Sequence, residues 1–394
     1  MSQNQIAVTP EIAQMIDHLN VQLLKKMKDA VFSPFSILYV MLLVYLGADG
    51  QTRQEMQKTL NINLNDSQLI VNLGRLKRMF DSCVDCDVKI INSNALILKS
   101  GFPIEKNYTD ILCQVSGAQL MTFKDINDAV IKTNNWVSDQ TFDLIPKLLN
   151  QNDVDPLTRL ILVNVIYFHA KWEYPFEKNR TYPDQFYGLT SIKTLNFMHK
   201  THHYRYFEDL NMQYIELPYT SNSGSEYSLM IALPKNREDL GGNSPLIPLF
   251  SQPFCVSNRK RVMGAICFPD LDWKFEKIQL SLPQFEHRHR LDLVNIFKQL
   301  GIQQLFTQNA NLQFIASKEN LLVSKILHEA VVKVDEEGIE AAAATAVVAT
   351  RTMASRPHPP KKVIIMNVNH QFYYSIIRRY NNQHYILFNG ICDG

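Results

Sequence analysis

The sequence predicts an α+β fold in which helices lead and strands dominate the second half. Three observations carry that reading. Apolar residues recur at helical spacing through the first part of the chain, up to Phe80. Leu160–Phe168 is an apolar run broken by Asn164, the pattern of a strand buried on both faces. No repeat is visible and helices do not alternate with strands, which argues for large antiparallel or mixed sheets over βαβ units.

The elements follow in order. Thr9 and Pro10 open a first helix, with Ile12, Met15, Ile16, Leu19 and Leu23 on one face. Ser33-Pro34 interrupts, and Ile37–Leu46 reads as a second helix buried on most sides. Thr52 with Glu55 has the spacing of a capping box for a short third helix. Leu69–Phe80 is a fourth, with Arg75, Lys77 and Arg78 near one face. Val88–Leu98 is rich in β-formers, and Ala129–Leu149 returns to helical spacing with Trp136 and Val137 on its apolar side. Tyr214–Leu217 and Ser228–Leu233 are strands ended by Pro218 and Pro234, with the turn-rich Ser221–Gly224 between them. Ile278–Leu282, Leu321–Val334 and Val363–Met366 add strands, and Tyr373–Ile377 with Tyr385–Phe388 forms a closing hairpin. Residues 241–272, with Arg259-Lys260-Arg261, and Ala349–Lys362, with Pro357, Pro359 and Pro360, read as surface loops.

Composition removes several function classes. The chain has 394 residues, 46% of them apolar and 20% charged, which excludes a disordered chain, a coiled coil and a fibre. Forty Lys and Arg against 38 Asp and Glu give a net charge of +2, too balanced for a dedicated nucleic-acid binder. Six cysteines do not make a disulfide scaffold. Cys83-Val84-Asp85-Cys86 lacks the second pair a zinc site needs, and His202-His203 reads as a solvated pair, so neither a metal nor a cofactor is expected. Met1–Asn20 is polar and lacks a signal-peptide core. The longest apolar run, Ile37–Leu46, falls short of the about 20 residues that span a bilayer. The expectation is a monomer, cytoplasmic or exported without a cleavable signal. The sequons at Asn65, Asn107 and Asn179 matter only after export.

The most unusual segment is Glu336-Glu337-Gly338-Ile339-Glu340, followed by Ala341 to Ala344, Thr345, Ala346, Val347, Val348 and Ala349. Locally, an alanine-rich helix is the simple reading. The context opposes it, because a strand-like run enters the segment and an extended proline-rich stretch leaves it. As a strand, Ile339, Ala341, Ala343, Thr345 and Val347 share one face. The other face is also small or β-branched, apart from Glu340. Such a segment can enter a covered sheet without clashing.

At this point the chain closely resembles the serpin family. Phe32-Ser33-Pro34-Phe35-Ser36-Ile37 and Leu46-Gly47-Ala48-Asp49-Gly50-Gln51-Thr52 are similar to its early signature. Asn94-Ala95-Leu96, Asn135-Trp136-Val137, and Leu162-Val163-Asn164-Val165-Ile166-Tyr167-Phe168 with Lys171-Trp172 and Phe176 continue the match. Glu216-Leu217-Pro218-Tyr219, Ser281-Leu282-Pro283-Gln284-Phe285, Ser324–Gly338 and Asn369-His370-Gln371-Phe372 complete it in the family's order. The resemblance implies one domain over 1–394, with helices around three β-sheets and an exposed reactive loop at about 336–362. The function implied is suicide inhibition of a serine protease. The protease cleaves the loop, is held as an acyl-enzyme, and is distorted as the loop inserts into the main sheet. About a dozen new hydrogen bonds at ~1 kcal/mol each give on the order of 10 kcal/mol. That is comparable with a protease's own stability of roughly 5–15 kcal/mol.

The same resemblance assigns Glu336, Glu337, Gly338, Ile339, Glu340, Ala341, Ala342, Ala343, Ala344 and Thr345 to the hinge. It assigns Ser33, Ser36, Asn164 and His328 to the place where the sheet opens, and Trp172 to its top. A Ser/His pair also invites a hydrolase reading, but no G-x-S-x-G elbow accompanies it and no catalytic residue is expected. The reactive bond is expected at Arg351-Thr352, with Thr352-Met353 as the alternative when the count from Glu336 runs one residue further. Arg351 suits a trypsin-like pocket, whereas Thr352 or Met353 suits elastase- or chymotrypsin-like ones. A non-inhibitory binder or chaperone is the other reading, motivated by Ile339, where Thr or Ser is commoner, and by a loop longer than the family's usual. Arg259-Lys260-Arg261 is the candidate for a weak polyanion contact; Arg75, Lys77 and Arg78 resemble the basic helix that binds heparin in some relatives, but three charges are too few to claim it. Asp29, Phe142-Asp143-Leu144 and the C-terminal Cys392-Asp393-Gly394 also depart from the family pattern.

Overall fold

A computed structural model describes residues 9–27, 30–81, 88–220, 226–237, 272–317, 321–336, 363–380 and 383–394. Helices α1 (Pro10–Leu24), α2 (Pro34–Gly47), α3 (Gly50–Thr59) and α4 (Asp66–Asp81) come first. Strand β1 (Val88–Lys99) is followed by α5 (Lys106–Asp110), which runs into a π-helical turn over Ile111–Ser116. Then come β2 (Gln119–Phe123), α6 (Ile126–Thr141), β3 (Leu160–Ala170), β4 (Thr181–Tyr187), β5 (Ile192–Glu208), β6 (Met212–Pro218) and β7 (Glu226–Pro234). After the 241–272 insert, of which Asp272 alone is described, come β8 (Lys274–Pro283), β9 (Phe285–Asp292), α7 (Val294–Leu300) and β10 (Val323–Val334). Strands β11 (Ile364–Asn367), β12 (Phe372–Tyr380) and β13 (Gln383–Cys392) close the chain.

The strands form a five-stranded sheet, β2-β1-β3-β10-β9, and an eight-stranded ladder, β11-β8-β5-β6-β7-β12-β13 with β4 on β5. The helices surround the expected sheets, two of which are joined in one hydrogen-bonded ladder by the 17-residue β5: it pairs with β4 over residues 192–198, with β8 over 197–206 and with β6 over 205–208. In the five-stranded sheet β3 runs parallel to β10, while β1 and β9 flank that pair antiparallel. Both faces of β3 are buried. Leu160, Leu162, Ile166 and Phe168 join a large core that includes every residue of α2 from Ile37 to Leu46. Ile161, Val163, Val165 and Tyr167 join a second core under α6, with Ala129 and Val137. Alternation along one strand therefore feeds two hydrophobic layers.

Three expectations change. The helix expected over Ala129–Leu149 stops at Thr141, where Phe142 and Asp143 take left-handed backbone angles (φ 52° and 62°). Leu144, Ile145, Leu148 and Leu149 keep helical spacing but belong to a non-helical tail. The Asn134 side chain accepts the Leu148 and Leu149 N–H groups at 2.8 Å each. The Thr52/Glu55 capping box is not formed, since α3 starts at Gly50. Instead Thr52 Oγ1 accepts Asn311 N–H at 3.0 Å, and Glu55 accepts Gln303 and Gln304 N–H at 2.7 and 2.8 Å. Both residues dock the stretch after α7 onto α3. Finally, the Thr9 side chain makes no cap hydrogen bond on α1, and its N–H donates to Asn72 Oδ1 at 3.1 Å.

Candidate functional site: the covered sheet and its opening

The residues expected at the sheet opening come together in one buried cluster. Sheet register sets it: Asn164 of β3 stands opposite Asn94 of β1 on one side and His328 of β10 on the other. Above this row lies the start of α2, where the Ser33 side chain caps the helix by accepting Ser36 N–H at 3.1 Å. Ser33 N–H in turn donates to His328 Nε2 at 3.1 Å. An accepting Nε2 places the imidazole proton on Nδ1, which donates to Asn164 Oδ1 at 2.5 Å. Asn164 Nδ2 then donates to Asn94 Oδ1 at 2.7 Å and to Ser36 Oγ, and Ser36 Oγ–H donates to Asn92 Oδ1 at 2.6 Å. Each group donates or accepts in the one sense left to it. The circuit ties α2 to β1, β3 and β10 across the parallel seam. Sequence reading did not single out Asn92 or Asn94 as gate residues; their signal was two asparagines two positions apart at the head of an apolar strand.

Burial drives His328 well below its ordinary value of 6.5, to about 3, with His289 adding a smaller push in the same sense. A second proton on Nε2 would meet the Ser33 N–H head-on, so the neutral ring is the form that fits. The unfolded chain therefore binds this proton more readily than the folded one. The stability contributed by this neutral ring is full above pH 6.5 and falls on acidification towards about 3, by at most ~1.4 kcal/mol per pH unit. His287, driven by burial to about 4, acts in the same sense. His328→Gln is expected to remove one proton's share of that slope between about pH 6 and pH 4.5, read from urea midpoints. Equal slopes in the two proteins would assign the titration elsewhere.

Trp172 sits at the head of the same seam. Its indole stacks on Tyr219 (centroids 4.4 Å apart, 14° between planes) and meets Phe176 edge-on at 6.0 Å. Its Nε1–H donates to Asp335 O at 2.7 Å, one residue past the end of β10. Phe176 N–H holds Glu336 O at 2.9 Å, and Gln284 Nε2 holds the Glu336 carboxylate at 2.6 Å. Glu336, expected to be the first hinge residue, thus sits in a clasp that Trp172, Phe176 and Gln284 form around the end of β10. The hinge from Glu337 to Thr345, the candidate bond residues Arg351, Thr352 and Met353, the Cys83–Cys86 pair, Ser221–Gly224 and Arg259-Lys260-Arg261 lie outside the described residues. On α4, Arg75 and Lys77 are half-buried and Arg78 is exposed. Among the described residues no group of three or more His, Cys, Asp or Glu is placed to hold a metal ion, and no helix is long and apolar enough to cross a membrane.

Comparison with known proteins agrees with this architecture. Residues 13–393 match the family model described as Serpin (serine protease inhibitor). Iripin-8 of Ixodes ricinus is 30% identical over 93% of this chain and 90% of its own length. Leukocyte elastase inhibitor A of Mus musculus is 30% identical over 92% of each chain. Tengpin, a thermophilic serpin solved in its native state, superposes with a TM-score of 0.81 at 24% identity, covering 98% of this chain and 95% of that one. With a match over nearly its whole length, and a five-stranded sheet whose central seam lies beneath α2, this chain belongs to the serpin family, whose members are in general protease inhibitors rather than enzymes.

Proposed function

We propose that this chain is a suicide-substrate inhibitor of serine proteases, with a trypsin-like enzyme as the favoured target and Arg351-Thr352 as the bond offered. One observation carries the reading. Glu336 is clasped at the head of the β3–β10 seam, and the sequence that follows, Ala341 to Thr345, carries no bulk on either strand face. On this reading the chain that follows β10 folds back between β10 and β3. Burying it calls for little side-chain ordering, because alanine has almost no rotamer entropy to lose. Ser33, Ser36, Asn164 and His328 are the groups that part when the seam opens, and Trp172 with Glu336 marks where parting starts. The whole chain acts as one domain, supported by a core that runs from Ile12 to Cys392.

The test is an SDS-stable complex with trypsin. Wild type is expected to form it, and Arg351→Ala is expected to abolish it, since the specificity pocket then receives a methyl group in place of a guanidinium. If the variant still traps trypsin, Arg351 is not the bait residue. If wild type traps an elastase-like or chymotrypsin-like enzyme and not trypsin, Thr352-Met353 is the bond, a reading the name of the mouse relative also supports. A loop cut as a plain substrate, with no complex and no gain in thermal stability, favours a non-inhibitory binder.

A further inference from the structure

The tail after α6 ties the two halves of the main sheet together. α6 rests on β1, β2 and β3, with Ala129 and Val137 in one cluster with Ala95, Ile97, Val163 and Val165. Beyond the left-handed pair Phe142 and Asp143, the chain is held from the far side of the sheet by β9. Arg288 Nη2 donates to Leu144 O at 2.5 Å. Arg290 Nε donates to Leu148 O, and its Nη2 pairs with Asp153 Oδ2 at 2.5 Å. Asn134 secures the tail to α6, accepting from Leu148 and Leu149 N–H and donating to Leu149 O at 2.9 Å. An unbroken run of hydrogen bonds therefore leads from β9, through residues 144–153, to a helix seated on β1–β3. The β3–β10 seam lies between the two anchorages.

We propose that Arg288 and Arg290 form a latch across the main sheet that sets the rate at which the seam opens. The inference rests on the inhibitor reading above, since a latch matters only where a loop inserts. A new strand between β3 and β10 moves β9 and β10 away from β3 by one strand spacing, about 4.8 Å. A guanidinium–carbonyl hydrogen bond is lost well before that displacement. The arginine contacts must therefore break, or the tail must peel from Asn134, before a strand can pass. Arg288 and Arg290 lie two residues apart on β9, so both reach the same face of the sheet. Glu329 of β10, opposite Arg290 in the register and 3.5 Å from Arg288, orients the pair. Phe142 and Asp143 hold backbone angles that residues with side chains avoid, so releasing the latch also frees the α6 terminus to relax.

The test separates the latch from the inhibitor reading. A synthetic peptide copying residues 338–351 is incubated with intact protein, and its uptake is followed as the rise in thermal midpoint with time. Arg288→Ala and Arg290→Ala are expected to take up the peptide about tenfold faster than wild type, one charge-assisted hydrogen bond being worth at least that factor in rate. Arg288→Gln and Arg290→Gln keep a donor and most of the side chain's length. They read the same rate in chains whose packing is preserved, and are expected to fall between wild type and the alanine variants. Uptake by all variants at the wild-type rate overturns the latch and leaves the inhibitor reading standing. A wild type that takes up no peptide, and that trypsin cleaves without forming a complex, overturns both.

Discussion

Replacing Thr345 by aspartate is expected to turn the proposed inhibitor into a substrate: trypsin cleaves the loop and departs, and no SDS-stable complex forms. The reason lies in the sheet that would receive the loop. Every residue of β3 from Leu160 to Phe168 is buried, on the α2 side and the α6 side alike. A strand inserted beside β3 has no solvent-facing side at this depth, so the direction in which Thr345 points does not matter. A carboxylate there would be taken out of water without a partner, at a cost of several kcal/mol, and it adds no bond that trypsin cuts. That is a large share of the on the order of 10 kcal/mol that insertion would supply. Thr345→Val, which is isosteric, is expected to trap trypsin as wild type does. The measurement is the ratio of complex to cleaved chain on a denaturing gel, and a persistent complex in the aspartate variant would show that this residue stays outside the sheet.

Asn164→Ala is expected to lower native-state stability by about 3 kcal/mol, because at least two buried polar groups lose their partners at once. His328 Nδ1–H and Asn94 Oδ1 would both be left facing a small void in a region where Asn164 itself is 1% exposed. Asn164→Asp is the sharper variant. It keeps an acceptor for His328 but offers a carboxylate to Asn94 Oδ1 and Asn92 Oδ1, which are acceptors themselves, so it is expected to be at least as destabilising. Urea unfolding at neutral pH gives both values. A loss below about 1 kcal/mol in either variant would mean that the circuit contributes little to holding the seam closed.

Several features could be read from the sequence because local chemistry alone decides them. Ile37–Leu46 is apolar on all sides and becomes the fully buried α2, and the run Leu160–Phe168 becomes the doubly covered β3. The buried cluster of Ser33, Ser36, Asn164 and His328 was legible only through motif resemblance. Ser33 and His328 lie 295 residues apart, and no local pattern brings them to one hydrogen bond. Where periodicity stood alone it misled. Leu144, Ile145, Leu148 and Leu149 prolong the spacing of α6 and are largely buried, yet Asn134 and the left-handed turn at Phe142 decide against helix. Strand β9, with arginine and histidine alternating at its centre, brings only Phe285 and Leu291 to the core. It is a strand because it is the last member of a sheet whose neighbour β10 supplies its hydrogen bonds.

The parallel pairing of β3 with β10 has a thermodynamic consequence. A chain that leaves the end of β10 and doubles back must run antiparallel to β10, and therefore antiparallel to β3 as well. Its arrival would exchange one ladder of slanted, slightly weaker bonds for two ladders of straight ones. On the inhibitor reading proposed above, the closed sheet is a wound spring whose tension is written in strand direction, and the α2 circuit, the tryptophan clasp and the arginine pair are its proposed catches.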